Sequence, residues 1–311
     1  MLSAKYIIDT FLEKSTPFGK IHNLITFYFT CREKNANIYV YAEGSDKMET
    51  GISSSCFYPV SVEDSLKQVG ELGAKTAEIF FNSYCELSGN ILDELRRIKD
   101  YYGMNIRSIH PFSCSFETVL LFSNYDRRTN DGVEFYKNYF EAANIIGAEA
   151  VVLHGCKDFF LLSPEEYAEH YVKLHNAAKE HGVFIAQENV NAFLCANPEY
   201  MKSVADFIGD DFKMVLDIKQ CRRSGQSEFE FIRLLGRNIV QVHISDFNEK
   251  YDCMVPGKGK YDFEKLFREL KKAGYNKTAL IELYRKGFNE AFELAEAMNN
   301  LNFTARGVYD E

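Results

Sequence analysis

The sequence predicts an α/β protein, a closed (β/α)8 TIM barrel with a short N-terminal extension. Three observations carry this. From Met48 onward, apolar segments of strand length alternate eight times with segments of helical period, and βα alternation builds a parallel sheet. The alternating part covers about 260 residues, close to the ~250 typical of an eight-fold barrel. The turn after the first strand reads Tyr58-Pro59-Val60, without the glycine-rich phosphate turn of a doubly wound open sheet.

Residues 1–47 stand apart. Residues 4–14 have helical spacing, and 23–30 and 37–42 are aromatic and β-branched, like paired strands. The stretch carries no candidate site residue. It reads either as an appended element covering the barrel or as sequence upstream of the functional start. Met48 is then the natural first residue of a barrel domain over 48–311.

The elements follow in order. Strand 51–57 leads to helix 61–72, with Ser61 as N-cap, Asp64 in the first turn and Gly73 as the stop. Strand 77–82 precedes helix 91–102, stopped at Gly103. Strand 106–110 ends at Pro111, and a long segment, 112–131, leads into helix 132–146, stopped at Gly147. Strand 150–154 precedes helix 164–181, opened by Ser163 as N-cap and Pro164 at the first helical position. The stretch 183–191 starts as an apolar strand and ends in Glu188 flanked by Gln187 and Asn189. Helix 198–208 is capped by Asn197. Strand 213–217, helix 227–235, strand 239–245, helix 262–273, strand 278–283 and a last helix over 289–300 complete the series. No Pro/Ser-rich linker interrupts it after Met48, so this part is one domain.

Composition narrows the function classes. Hydrophobic residues make up 46% of the chain, enough for a sizeable core. No apolar run reaches the ~18–20 residues of a membrane helix, so no membrane partner is expected. The net charge of −9 disfavours a nucleic-acid partner, which draws on a basic surface. Eight cysteines are scattered without a CxxC pair, which predicts a reducing, cytoplasmic compartment. The N-terminus lacks a basic region followed by a clean apolar run, so no secretory signal is expected.

The last polar groups of six strands are His110, His154, Glu188, Asp217, His243 and Glu282, each closing an apolar run such as VVLHG, IAQEN or MVLDI. A lone strand-end histidine is more often structural than functional. Six of eight strands ending this way is hard to attribute to chance, because those ends converge on one rim of a barrel. Glu188, Asp217, His243 and Glu282 make a set of three carboxylates and one imidazole. Such a set suits one divalent ion, Mn²⁺ first, with Mg²⁺, Co²⁺ or Zn²⁺ acceptable. Without an ion, three carboxylates on one rim would repel and raise each other's pKa.

With these residues in place, the chain resembles the xylose-isomerase-like barrel superfamily of sugar isomerases and epimerases over about 48–301. The Glu…Asp…His…Glu order matches the metal set of its ketose 3-epimerase branch. Pro256-Gly257-Lys258-Gly259-Lys260-Tyr261-Asp262-Phe263 resembles the superfamily's PGxGxxDF loop. The resemblance implies that Glu188 and Glu282 are both ligands and acid/base catalysts, that Asp217 and His243 are ligands only, and that His154 contacts substrate. His110 on the same rim is assigned to substrate as well. Two departures matter. Relatives often carry DxxH at the sixth strand, and here the motif is Asp217-Ile218-Lys219-Gln220. Gln220 can hydrogen-bond substrate but is a poor metal ligand. The extra DxH motif of apurinic endonucleases is missing, since the chain reads Tyr251-Asp252-Cys253-Met254 there.

The expected function is isomerisation or epimerisation of a sugar, sugar phosphate or cyclitol, by proton transfer through a metal-stabilised enediolate. One of Glu188 and Glu282 removes the proton α to a carbonyl and the other returns one. The alternatives are an apurinic-endonuclease-like phosphodiesterase, which would hold three zinc ions, and a cyclitol dehydratase on the same barrel. Arg285 reads either as a contact for a substrate oxygen or phosphate or as a solvated loop charge. Lys219-Gln220-Cys221-Arg222-Arg223 reads either as a phosphate contact or as a solvated charge cluster. The expected partner is a small carbohydrate, and the sequence leaves open whether the chains form a homo-oligomer.

Overall fold

The computed structural model describes residues 48–310. The expectations for residues 1–47 lie outside this range. Eight parallel strands close on themselves in sequence order: β1 Glu49–Ser53, β2 Thr76–Phe80, β3 Asn105–His110, β4 Ala150–Leu153, β5 Phe184–Glu188, β6 Met214–Asp217, β7 Ile239–Ile244 and β8 Thr278–Ile281. The ring closes where β1 pairs with β8, from Glu49 opposite Thr278 to Ile52 opposite Ile281. The eight principal helices are α1 Val62–Glu71, α2 Gly89–Tyr102, α3 Asp126–Ile146, α4 Pro164–Glu180, α5 Pro198–Ile208, α6 Glu228–Leu235, α7 Phe263–Lys272 and α8 Phe292–Tyr309.

Local chemistry explains the helix starts. The Ser61 hydroxyl accepts from the Asp64 N–H at 3.2 Å. Ser163 and Glu166 cap each other reciprocally, at 3.2 and 2.8 Å, and Asn197 accepts from the Tyr200 N–H at 2.9 Å. Each satisfies donors that a helix leaves unpaired at its first turn. The strands are buried on both faces, as a sheet ringed by helices requires.

Four boundaries differ from the sequence expectation. β1 ends at Ser53, where the Ser53 hydroxyl accepts from the Ser55 N–H at 3.3 Å and turns the chain into a 3-10 segment. α3 begins at Asp126 and runs through Gly132. That glycine looks like a helix start but is a packing position: a Cβ there would sit 2.7 Å from the Leu120 carbonyl oxygen. A short helix, Ile218–Ser224, follows β6. α8 starts at Phe292, where the Glu293 carboxylate accepts from the N–H groups of Asn289 and Glu290, and buried Leu301, Ala305 and Val308 carry it on to Tyr309.

The loop after β7 is held by one buried side chain. Asp246 accepts from the N–H groups of Phe247 (2.7 Å), Gly257, Gly259 and Tyr261 (2.9 Å each). Gly259 is required, because a Cβ would lie 2.3 Å from both Asp246 Oδ1 and the Phe247 carbonyl oxygen. Asp246→Ala strands four donors, so it should cost about 2–4 kcal/mol of stability in urea unfolding. A loss below roughly 0.5 kcal/mol would show that water replaces the carboxylate at no cost.

Candidate metal centre

Glu188 ends β5, Asp217 ends β6, His243 lies one residue before the end of β7, and Glu282 follows β8. One ligand atom from each lies within 4.8 Å of every other. The geometry centres on His243 Nδ1, which is 3.4 Å from Glu188 Oε1 and 3.5 Å from Glu282 Oε2. Donors about 2.1 Å from a shared ion stand roughly 3.0–3.5 Å apart. His243 Nδ1 is buried without a hydrogen-bond partner, and the buried oxygens Glu188 Oε2 and Asp217 Oδ2 meet only charged groups, His154 Nε2 at 3.0 Å and Lys219 Nζ at 3.2 Å. An orphaned buried ring nitrogen is rare in folded proteins, and one facing two carboxylates in a four-residue donor set fits a cation.

The opposite ring nitrogen fixes His243. Nε2 lies 3.2 Å from Glu78 Oε2, a fully buried carboxylate in the middle of β2. Nε2 also lies 2.8 Å from the Gln241 amide nitrogen; in the tautomer whose Nε2 proton goes to Glu78, Nδ1 presents its lone pair to the other three groups. Glu78 also accepts from Ser53 (3.1 Å), Ser108 (2.7 Å) and the Gln241 amide (2.8 Å). Burial raises its pKa, yet His243, His110 and the Ser108 hydroxyl overcome this and hold it at about 2.

His154 and His110 close the other side. His154 Nε2 lies 3.0 Å from Glu188 Oε2 and 3.1 Å from His110 Nε2. The His110 ring stacks on Phe80, with ring centres 4.7 Å apart. Burial works against ionising Glu188, but the three imidazoles around it leave its carboxyl well below the usual range. Burial pushes Asp217 up to about 6; Lys219 opposes the rise, while Glu188 and Glu282 add to it. This is the mutual repulsion that a cation relieves. His110, Cys114 and His154 form a second donor set within 4.8 Å, of the nitrogen and sulfur chemistry that zinc accepts.

The family described as "Xylose isomerase-like TIM barrel" matches residues 66–303. The chain belongs to that family. An uncharacterized protein of Methanocaldococcus jannaschii, MJ1311, is 25% identical over 81% of this chain and 88% of its own length. Among solved structures, a D-tagatose 3-epimerase-like protein superposes with a TM-score of 0.70 at 22% identity, covering 85% of this chain and 99% of that one. An L-ribulose 3-epimerase gives 0.68 at 18% identity, over 84% and 95%. An IOLI protein with a bound zinc atom gives 0.65 at 20% identity, over 85% and 98%.

The side chains of Gln220 and Arg285, also expected at the site of this xylose isomerase-like barrel, are engaged elsewhere. Gln220 Oε1 accepts from the Asn191 N–H at 3.2 Å. The exposed Arg285 donates to the Phe288 carbonyl at 3.0 Å and covers the Phe288 ring. Gln187 and Asn189 face away from Glu188, as strand alternation requires, and hold the neighbouring strand ends. Gln187 donates to the His154 carbonyl at 2.9 Å, and Asn189 accepts from the Asp217 N–H at 2.7 Å. Three residues escaped the sequence reading. Glu78 sits between apolar residues in TAEIF, and an acid inside a buried strand was its signal. Asp246 closes the VQVHISD run. Lys219 was read within a cluster whose alternatives were a phosphate contact and a solvated charge. It is buried and ion-paired to Asp217 and Glu282.

Among the described residues, no helix is long and apolar enough to cross a membrane.

Proposed function

We propose that this barrel isomerises or epimerises a small carbohydrate, with Glu188 and Glu282 as the acid/base pair and Glu188, Asp217, His243 and Glu282 as ligands of one divalent ion. The observation that carries the reading is the placement of two carboxylates, 3.4 and 3.5 Å from the same imidazole nitrogen. Inverting a carbon α to a carbonyl removes a proton from one face and returns one to the other, which two such groups can do, while isomerisation returns the proton at the adjacent carbon. When bound, a divalent ion, Mn²⁺ by preference, supplies Lewis acidity to the oxygens of the substrate.

The rest of the work falls to the chain. One glutamate takes the proton α to the carbonyl while the other gives one back. A proton on Glu188 has His154 at 3.0 Å and, through it, His110 at 3.1 Å, so both histidines stand where they can contact substrate hydroxyls or carry a proton. Gln220 and Arg285 are the outer substrate contacts in this reading. Residues 48–311 are the catalytic domain in this reading, and 1–47 an N-terminal extension of unknown role.

The test is elemental analysis of the purified protein, then a turnover screen over ketoses, ketose phosphates and inosose. One ion per chain is expected, with turnover abolished by a chelator and restored by Mn²⁺. Three zinc ions per chain would instead favour the phosphodiesterase reading, to which the His110, Cys114 and His154 set lends some chemistry. Loss of water from inosose would mark a dehydratase.

A further inference from the structure

An ammonium group is expensive to bury and persists only where it is paired. Among the described residues, Lys219 is the one lysine or arginine that is buried. It lies two residues beyond Asp217, in the short helix Ile218–Ser224. Its Nζ stands 2.8 Å from Glu282 Oε2 and 3.2 Å from Asp217 Oδ2.

The choice of oxygens is informative. Asp217 Oδ1 is already bound to the Gln220 N–H at 3.0 Å, while Oδ2 meets only the Lys219 ammonium. Glu282 Oε2 is the atom 3.5 Å from His243 Nδ1. The lysine therefore touches the oxygens turned toward the proposed ion, not the backs of the carboxylates. Three carboxylates, Glu188, Asp217 and Glu282, share this cluster with His243. A divalent ion together with the ammonium brings three positive charges to these three carboxylates.

We propose that Lys219 is a resident cation of the ion site, a positioning residue that holds Asp217 and Glu282 together and sets a low affinity for the divalent ion. This rests on the four-residue ion site of the proposed function. Two cations sharing the same oxygens in a poorly solvated site repel strongly, so the ion binds weakly enough to exchange. With the ion absent, the ammonium relieves the repulsion between the carboxylates and keeps the barrel mouth assembled.

The test titrates Mn²⁺ alone into metal-stripped full-length protein by calorimetry, with thermal melts run beside it. Lys219→Met should bind Mn²⁺ roughly tenfold tighter or more. It should melt lower than the wild type when stripped, and gain more from added Mn²⁺. Lys219→Arg keeps the charge and should stay near the wild-type affinity. If Lys219→Met does not fold, Lys219→Gln carries the same test. Equal or weaker Mn²⁺ binding by either neutral variant overturns the inference. Absence of Mn²⁺ binding in the wild type and all variants overturns the ion site and this inference together. The expected affinities with no sugar turned over would sink the sugar reading and leave Lys219's role standing.

Discussion

Replacing Glu282 with glutamine should lower turnover by roughly a thousand-fold, within the range that a positioned acid or base contributes. Burial raises the Glu282 pKa, but Lys219 and His243 pull it below the usual carboxylate value, so the group is an anion ready to accept a proton. Glutamine keeps the shape and one oxygen for the ion but cannot take up or release the proton. The loss should therefore fall on kcat, with Mn²⁺ content retained, and the same substitution at Glu188 should be comparably severe. Steady-state kinetics with parallel metal analysis checks this. Near-normal turnover by a metal-loaded Glu282→Gln protein rejects the acid/base role.

The second large effect is expected at Glu78, which touches neither substrate nor ion. Four donors converge on its carboxylate: Ser53, Ser108, Gln241 and His243. Glu78→Gln presents an amide N–H₂ where donors already crowd, and the His243 Nε2 proton loses its charged acceptor. Nδ1 then no longer holds a fixed lone pair toward Glu188 and Glu282. Partners behind a metal-bound histidine are typically worth 10–100-fold in metal affinity, and a loss of that size is expected in a calorimetric Mn²⁺ titration. Glu78→Ala should also cost about 3–5 kcal/mol in urea unfolding, because it leaves a buried cluster without its counter-charge. Unchanged Mn²⁺ affinity in Glu78→Gln would show that His243 is oriented by packing alone.

The barrel was legible because its signals are local. Strand-length apolar runs recur eight times, Ser61, Ser163 and Asn197 cap helices and Gly73, Gly103 and Gly147 stop them, and each signal depends on a few adjacent residues. The strand-end polar groups were legible for the same reason, since closure of the ring brings Glu188, Asp217, His243 and Glu282 to one rim. Glu78, Lys219 and Asp246 are different. Their importance lies in contacts across 165, 63 and 15 positions of sequence, which no periodicity reveals. Gly132 misled for the opposite reason. It has the look of a boundary, but the tertiary contact with Leu120 decides its place inside α3.

The central claim is that one cation is shared by Glu188, Asp217, His243 and Glu282. Anomalous scattering from a crystal of the protein grown with Mn²⁺ tests it most directly. The account predicts one strong peak about 2.1–2.2 Å from His243 Nδ1 and from a carboxylate oxygen of each of the other three residues. A peak bound elsewhere, or no peak among these four while the protein turns over sugar, would contradict it.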